Sequence, residues 1–166
     1  MENDDRKKPS RELSDKIVGM IKAMEGQRMG AFPIQSVAKW LDAKLVAIER
    51  GKIELEYTVR PEMTNPGGFL HGGIQGTMLD DAIGMICVTL GYDVATLSID
   101  MHLDFLGTSK AGDILLARAE VEREGSSVIH ASAELVTPAG ELVAKAQSNV
   151  LVSNQPAAYM AMMGLK

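Results

Sequence analysis

The sequence predicts an α+β fold in which an antiparallel sheet wraps around one long helix. Two observations carry that prediction. The stretch Ile74 to Leu90 is apolar on nearly every side, and a helix with no face fit for water has to be covered by sheet. On both sides of it lie runs that alternate apolar and polar residues, the period of half-buried strands.

The elements follow in order. Residues 1–8 are charged and read as a disordered tail with no apolar signal core behind it. A helix is expected over about residues 10–24. Ser10 serves as its cap, and Leu13, Ile17, Met20, Ile21 and Met24 recur at helical spacing. Gly26 to Ile34 breaks it. A strand is expected over about Ala38 to Glu49 and another over Lys52 to Arg60, joined at Arg50-Gly51 and ended by Pro61. A glycine-rich loop, Asn65 to Gly73, leads into the helix Ile74–Leu90, which Gly91 closes. Strands are then expected near Ala95–Phe105, Asp113–Glu124, Val128–Thr137 and Glu141–Val152, with turns at Gly125 and Pro138-Ala139-Gly140. Residues 9–153 form the domain. The Met-rich tail 154–166 receives no role.

Composition narrows the function. A length of 166 residues suits one domain. Acidic residues outnumber basic ones by 22 to 17, the opposite of a nucleic-acid footprint. The single Cys87 forms no internal disulfide and pairs with no histidine as a metal site. The longest apolar run is too short to span a bilayer. A cytoplasmic protein with no membrane partner and no bound metal is expected.

Asp80 and Asp81 are the charged side chains of the apolar helix. They lie too deep to cap it, and an unpaired carboxylate there is expensive. Neighbours point about 100° apart, so one can face a cleft while the other faces solvent or an ion pair. The face through Gly73, Gly76, Thr77, Asp80, Gly84 and Cys87 is narrow and leaves room beside Asp80 for a substrate or another backbone. The helix alone leaves two readings open, catalysis and an ion pair at a subunit contact. Gly72 and Gly73 stand where free N–H groups and the helix dipole favour negative charge, as an oxyanion site requires. Asn65 offers a side-chain amide. After the helix, strict alternation puts Ser98, Asp100, His102 and Asp104 on one face, and the last three read as a solvated or interface face. His71 and His130 read as structural or solvent-facing, since no Ser/His/Asp order stands out.

The segment Asn65 to Asp80, with His71-Gly72-Gly73 and an Asp nine residues after the His, resembles the signature of PaaI-like hotdog-fold acyl-CoA thioesterases. The likeness continues through Leu97-Ser98-Ile99-Asp100-Met101 and Ala111-Gly112-Asp113 and covers roughly residues 38 to 153. It implies a five- or six-stranded antiparallel sheet curled around the helix. It implies a homodimer with a continuous sheet, paired again into a homotetramer, with active sites at the dimer interface. By that resemblance Asp80 is the general base or nucleophile and Ser98 orients water. The Gly72 N–H polarises the thioester carbonyl and Asn65 assists, meeting Asp80 across the interface. His71, Gly73 and Thr77 are candidate substrate contacts. The partner is an acyl-CoA, and no cofactor is needed beyond the coenzyme A of the substrate. A carboxylate partly shielded from water would hold its proton more tightly, which suits base work. Two other readings are a hotdog-fold hydratase or dehydratase, which lacks its Gly-Asp before Asn65-Pro66 here, and a non-catalytic acyl-CoA binding module, in which Asp80 would be expected to be lost.

Overall fold

The computed structural model describes residues 8–31 and 37–165. The expected N-terminal tail, apart from Lys8, and the end of the Gly26–Ile34 break lie outside the described residues.

Helix α1 (Arg11–Lys22) is capped by Ser10, whose side chain accepts from the Leu13 N–H. Helix α2 is short (Val37–Leu41), followed by strands β1 (Lys44–Glu49) and β2 (Lys52–Thr58). After the loop come the long helix α3 (Gly72–Val88), then β3 (Val94–Phe105), β4 (Ile114–Arg123), β5 (Val128–Val136), β6 (Leu142–Pro156) and helix α4 (Ala158–Met162). The six strands form one antiparallel sheet in the order β1-β2-β4-β5-β6-β3, which leaves β1 and β3 as its edges.

The α+β arrangement is as the sequence predicts. Met78, Leu79, Ala82, Ile83, Ile86 and Cys87 of α3 are all fully buried, against a sheet face that includes Leu55, Tyr57, Leu115, Ala117, Ile129 and Ala131. Each large side chain hidden this way contributes about 1.5–3 kcal/mol, so the helix is the core of the molecule.

Four expectations are corrected. The strand expected from Ala38 begins only at Lys44, and Val37–Leu41 is helical. Its last carbonyls are held from outside, because the Arg60 guanidinium donates to the Trp40 and Leu41 oxygens at 2.6 and 3.2 Å. Asp42 then takes a positive φ of 53°, and its carboxylate accepts from the Gly30 N–H. These partners are remote in sequence, so local pattern could not show them.

Helix α3 starts at Gly72 rather than Ile74, because His71 acts as its cap, and it ends at Val88, with Thr89 as its C-cap, rather than at Leu90. The C-terminal stretch is not a tail in the described residues. Strand β6 runs on to Pro156, and α4 returns to the domain, with the Tyr159 hydroxyl donating to the Tyr92 carbonyl at 2.7 Å. The strict alternation of β3 is also broken, with a consequence described below.

Candidate active site

The stripe Gly73, Thr77, Asp80 and Gly84 recurs at helical spacing and stays open on one side of α3. A side chain built at Gly84 would meet nothing within 4 Å. The predicted small face is narrower than expected, because Gly76 is filled. Leu103 and Met101 of β3 pack into the space a Cβ would take, and Cys87 is buried. Cys87 is a thiol that burial pushes up to about 12.

Asp80 is exposed, and its Oδ1 accepts a hydrogen bond from the Ser98 hydroxyl at 2.9 Å. That contact corrects the alternation of β3. Met101, Leu103 and Phe105 turn toward α3, where they meet Gly76 and Gly72. His102 and Asp104 turn away, to the outer face. On a regular strand Ser98 would turn away with them. The ladder to β6 slips between Ser98 and Asp100, which pair with the adjacent Val150 and Asn149. One extra residue, Ile99, thus forms a β-bulge, and a bulge re-aims the side chain beside it. Asp100 secures the irregularity, with its carboxylate accepting from the Asn149 backbone and side-chain amides at 3.0–3.2 Å. Ser98 is thereby turned inward, onto Asp80.

Asp81 points elsewhere. It is half-buried on the side facing β2, where the Tyr57 hydroxyl donates to its Oδ2 at 3.4 Å. Burial raises this carboxyl to about 6, against the pull of the Tyr57 hydrogen bond and with help from the Asp80 charge.

At the helix N-terminus the two glycine donors have different fates. The Gly73 N–H is taken by the His71 ring nitrogen Nδ1 at 2.9 Å. His71 is therefore a cap, with Nε2 left outward, and Gly73 does not offer the donor expected of it. The Gly72 N–H has no partner among the described residues. Phe105 lies against the Gly72 Cα, where a Cβ would be 3.0 Å from the ring.

Asn65 folds its own loop. Its Oδ1 accepts from the Gly67 and Phe69 N–H groups at 2.9 and 3.2 Å, which leaves the amide nitrogen directed outward. Thr77 donates to the Gly73 carbonyl at 2.7 Å, so its hydroxyl keeps accepting capacity only.

The structure thus brings Asp80 and Ser98 together, and within the chain no hydrogen bond joins either to Asn65, Gly72, His71 or Thr77. His130 bonds Asn149 at 3.1 Å, and the exposed His102 lies 3.4 Å from Asp104. Sequence reasoning missed Phe105 and Phe69, half-exposed aromatics beside the helix entrance. Among the described residues no group of three or more His, Cys, Asp or Glu is placed to hold a metal.

A concavity of about 880 Å³ lies away from this site. It lies on the outer face of the sheet, lined by Lys52, Glu54, Asp104, Arg118, Glu120 and Lys145. Those charges pair with one another, as in Arg118–Glu54 at 2.6 Å and Lys52–Glu120 at 3.0 Å, which makes it a solvated face rather than a reactive one.

Comparison with known proteins agrees with the fold. The Thioesterase superfamily model matches residues 67–144. A protein of Saccharolobus solfataricus assigned as an esterase is 31% identical over 110 residues, covering 66% of this chain and 78% of that protein. Acyl-coenzyme A thioesterase 13 of Homo sapiens is 29% identical over 111 residues, covering 66% and 79%. A crystal structure from Ralstonia eutropha, assigned as a thioesterase related to phenylacetic acid degradation, superposes with a TM-score of 0.67. It is 33% identical, with 74% of this chain and 94% of that one covered.

Proposed function

Because the chain belongs to the thioesterase superfamily, with its hotdog fold, and is a thioester hydrolase, we propose that it hydrolyses acyl-CoA with Asp80 as the base that activates water. The observation that carries this reading is the exposed Asp80 carboxylate held by Ser98 on an open stripe of the central helix.

The chemistry follows from that placement. A thioester is already activated, so hydrolysis needs a positioned water, a base and a site for the developing oxyanion. Asp80 takes a proton as water oxygen attacks the carbonyl carbon. The carbonyl oxygen becomes an oxyanion. The tetrahedral species collapses with cleavage of the carbon–sulfur bond, and the coenzyme A thiolate leaves and is protonated. The products are a carboxylic acid and free coenzyme A. Ser98 fixes one carboxylate oxygen, which leaves the other for water. No metal or organic cofactor enters this sequence.

The oxyanion donor is assigned to a second copy by the family resemblance. Gly72 and Asp80 are eight residues apart on one helix, about 12 Å along its axis at 1.5 Å per residue, and no hydrogen bond joins Asp80 to Gly72 or Asn65 among the described residues. In this reading the Gly72 N–H and the Asn65 amide serving one Asp80 are those of the partner subunit. The edge strand β3 supports such pairing. It runs from Val94 to Phe105 with Leu97 and Ile99 more than half exposed, at 51% and 56%, and a long apolar edge is a template for another strand. Pairing along β3 also removes water from around Asp80. A homodimer, assembling further into a homotetramer, is the form in which we expect activity.

The hydratase reading needs a histidine beside the carboxylate. Ser98 is the side chain that meets Asp80, and His71 is engaged as a helix cap.

The test is thiol release from phenylacetyl-, 4-hydroxybenzoyl-, acetyl-, hexanoyl- and palmitoyl-CoA by wild type, Asp80→Asn and Asp81→Asn. Turnover is expected to vanish in Asp80→Asn with the fold and oligomer intact, and to survive in Asp81→Asn. Equal losses in both variants would sink the assignment. Binding of the esters without any release would favour the binding module instead.

A further inference from the structure

We propose that Asp100 is a positioning residue for the hydrolysis, because its clamp on Asn149 holds the β-bulge that keeps the Ser98 hydroxyl on Asp80. The inference rests on the reading of Asp80 as the base.

Asp100, Asn149 and His130 stand opposite one another on β3, β6 and β5, in one row across the outer face of the sheet. The row is hydrogen-bonded from end to end. The Asn149 Nδ2 donates to both carboxylate oxygens of Asp100, at 3.2 and 3.0 Å, and the Asn149 main-chain N–H donates to Oδ1 at 3.2 Å. The Asn149 Oδ1 is left facing the His130 Nδ1 at 3.1 Å, so the ring carries a proton on that nitrogen. The Asp100 carbonyl in turn accepts from the Ser148 hydroxyl at 2.7 Å. Side chain and main chain of Asp100 are thus both tied to β6. A strand N–H that ordinarily serves a neighbouring backbone carbonyl serves a carboxylate instead. The Asn149 bonds hold the Asp100 carboxyl below its ordinary value, so it stays the ionised acceptor they need.

This clamp sits at the slip in the ladder. Ser98 and Asp100 are two residues apart on β3 and pair with Val150 and Asn149, which are adjacent on β6. Ile99 is the extra residue, and its side chain is 56% exposed. On a regular strand Ser98 and Asp100 would share a face. Here Asp100 lies outside with Asn149, while Ser98 lies inside, 2.9 Å from the Asp80 Oδ1. A one-residue slip carries a side chain to the opposite face, so Ser98 meets the base only while the bulge stays at Ile99. Strand β3 is an edge, held by β6 alone within the chain. Its bonds to Asn149 and Ser148 therefore mark where the extra residue sits.

The test is kcat and KM on whichever of phenylacetyl-, hexanoyl- or palmitoyl-CoA is cleaved fastest, for wild type, Ser98→Ala, Asp100→Ala and the double variant, with Tm and sedimentation alongside. Each single change is expected to lower kcat by about ten- to a hundredfold with KM held. The double variant should lose no more than Ser98→Ala alone, because both changes remove one contact. A purely structural role, or a loss of the dimer, would instead multiply with the Ser98→Ala loss, and that outcome overturns the inference. Wild-type kcat in either single variant also overturns it. So does an equal loss in Asp104→Ala, which removes another carboxylate of the same strand, paired with Lys145 and away from the bulge. An exchange gives a second route. Asn149→Asp sets two carboxylates against each other and should lower kcat; adding Asp100→Asn restores an amide facing a carboxylate and should recover it. Should Asp100→Ala fail to fold, the exchange decides, and no recovery overturns the inference. In each of these failures an inactive Asp80→Asn leaves the base assignment standing, whereas turnover that survives Asp80→Asn overturns both.

Discussion

Asp80 and Asp81 are the same residue type side by side, and the helix gives them opposite environments. One is exposed and bonded to Ser98; the other is half-buried under Tyr57. The difference has a consequence for stability. Asp81 in the fold titrates near 6, above the 3.8 of an ordinary Asp, so folding favours its protonated form. Its contribution is fully present below about pH 4 and is lost as pH rises through about 6. Asp81→Asn should therefore be more stable than wild type at pH 7.5 by roughly 1–3 kcal/mol, with the gap closing toward pH 4. Urea unfolding at the two pH values measures it, and a gap independent of pH would contradict the burial argument. At this scale the family resemblance and the helix geometry were what the sequence offered. By that resemblance the interval from His71 to Asp80 singled out Asp80 as the candidate base, and the 100° offset allowed the two aspartates different environments. The sequence was silent on Tyr57, on the capping by His71 and on the bulge that turns Ser98 inward. Tyr57 and the bulge depend on register with strands elsewhere in the fold, whereas the His71 cap is a local contact with Gly73.

Elements were legible where their own pattern sufficed and failed where a remote partner intervened. Helix α3 was plain because nearly every side of it is apolar, and β2 because it alternates. Helix α2 was misread as strand because its carbonyls are satisfied by Arg60, some twenty residues on. The C-terminal end of α3 illustrates the same dependence. Gly91 has a φ of +82°, its carbonyl accepts from the Ser10 N–H at 2.8 Å, and Ser14 donates its hydroxyl to the Thr89 carbonyl at 2.7 Å. Helix α1 is thus seated directly on the turn that follows the central helix. A Cβ at Gly91 would strike the Ser10 carbonyl and the Ser14 backbone and would strain a left-handed conformation. Gly91→Ala should cost about 2 kcal/mol or more, seen as a lower urea midpoint with an unchanged slope. Gly84→Ala, on the open stripe with nothing nearby, serves as the control and should change stability by less than about 1 kcal/mol. Equal losses at both glycines would mean that the seat of α1 contributes nothing.

At the scale of the whole molecule, the proposed chemistry calls for a second copy. The sheet has two edges, and they are unlike. Strand β1 is an edge of six residues, Lys44–Glu49, joined by an isolated bridge from Arg28 to Lys44. Strand β3 is twice as long and carries Leu97, Ile99 and Phe105, each at least half exposed. That asymmetry points association to β3, the strand that also holds Ser98 against the base. Stability of the pair and catalysis should then be lost together. Replacing Leu97 and Ile99 by Lys sets like charges along the edge, a device that blocks strand pairing. The double variant should sediment as a monomer, keep the far-ultraviolet signature of the sheet and α3, and lose thioester hydrolysis by at least about a hundredfold, the scale of removing an oxyanion donor. Its Asp80–Ser98 contact lies within one chain and would remain, so the loss would be assignable to the partner's Gly72 and the partner's Asn65. A monomer that hydrolyses acyl-CoA at the wild-type rate would show that one chain supplies both base and oxyanion donor.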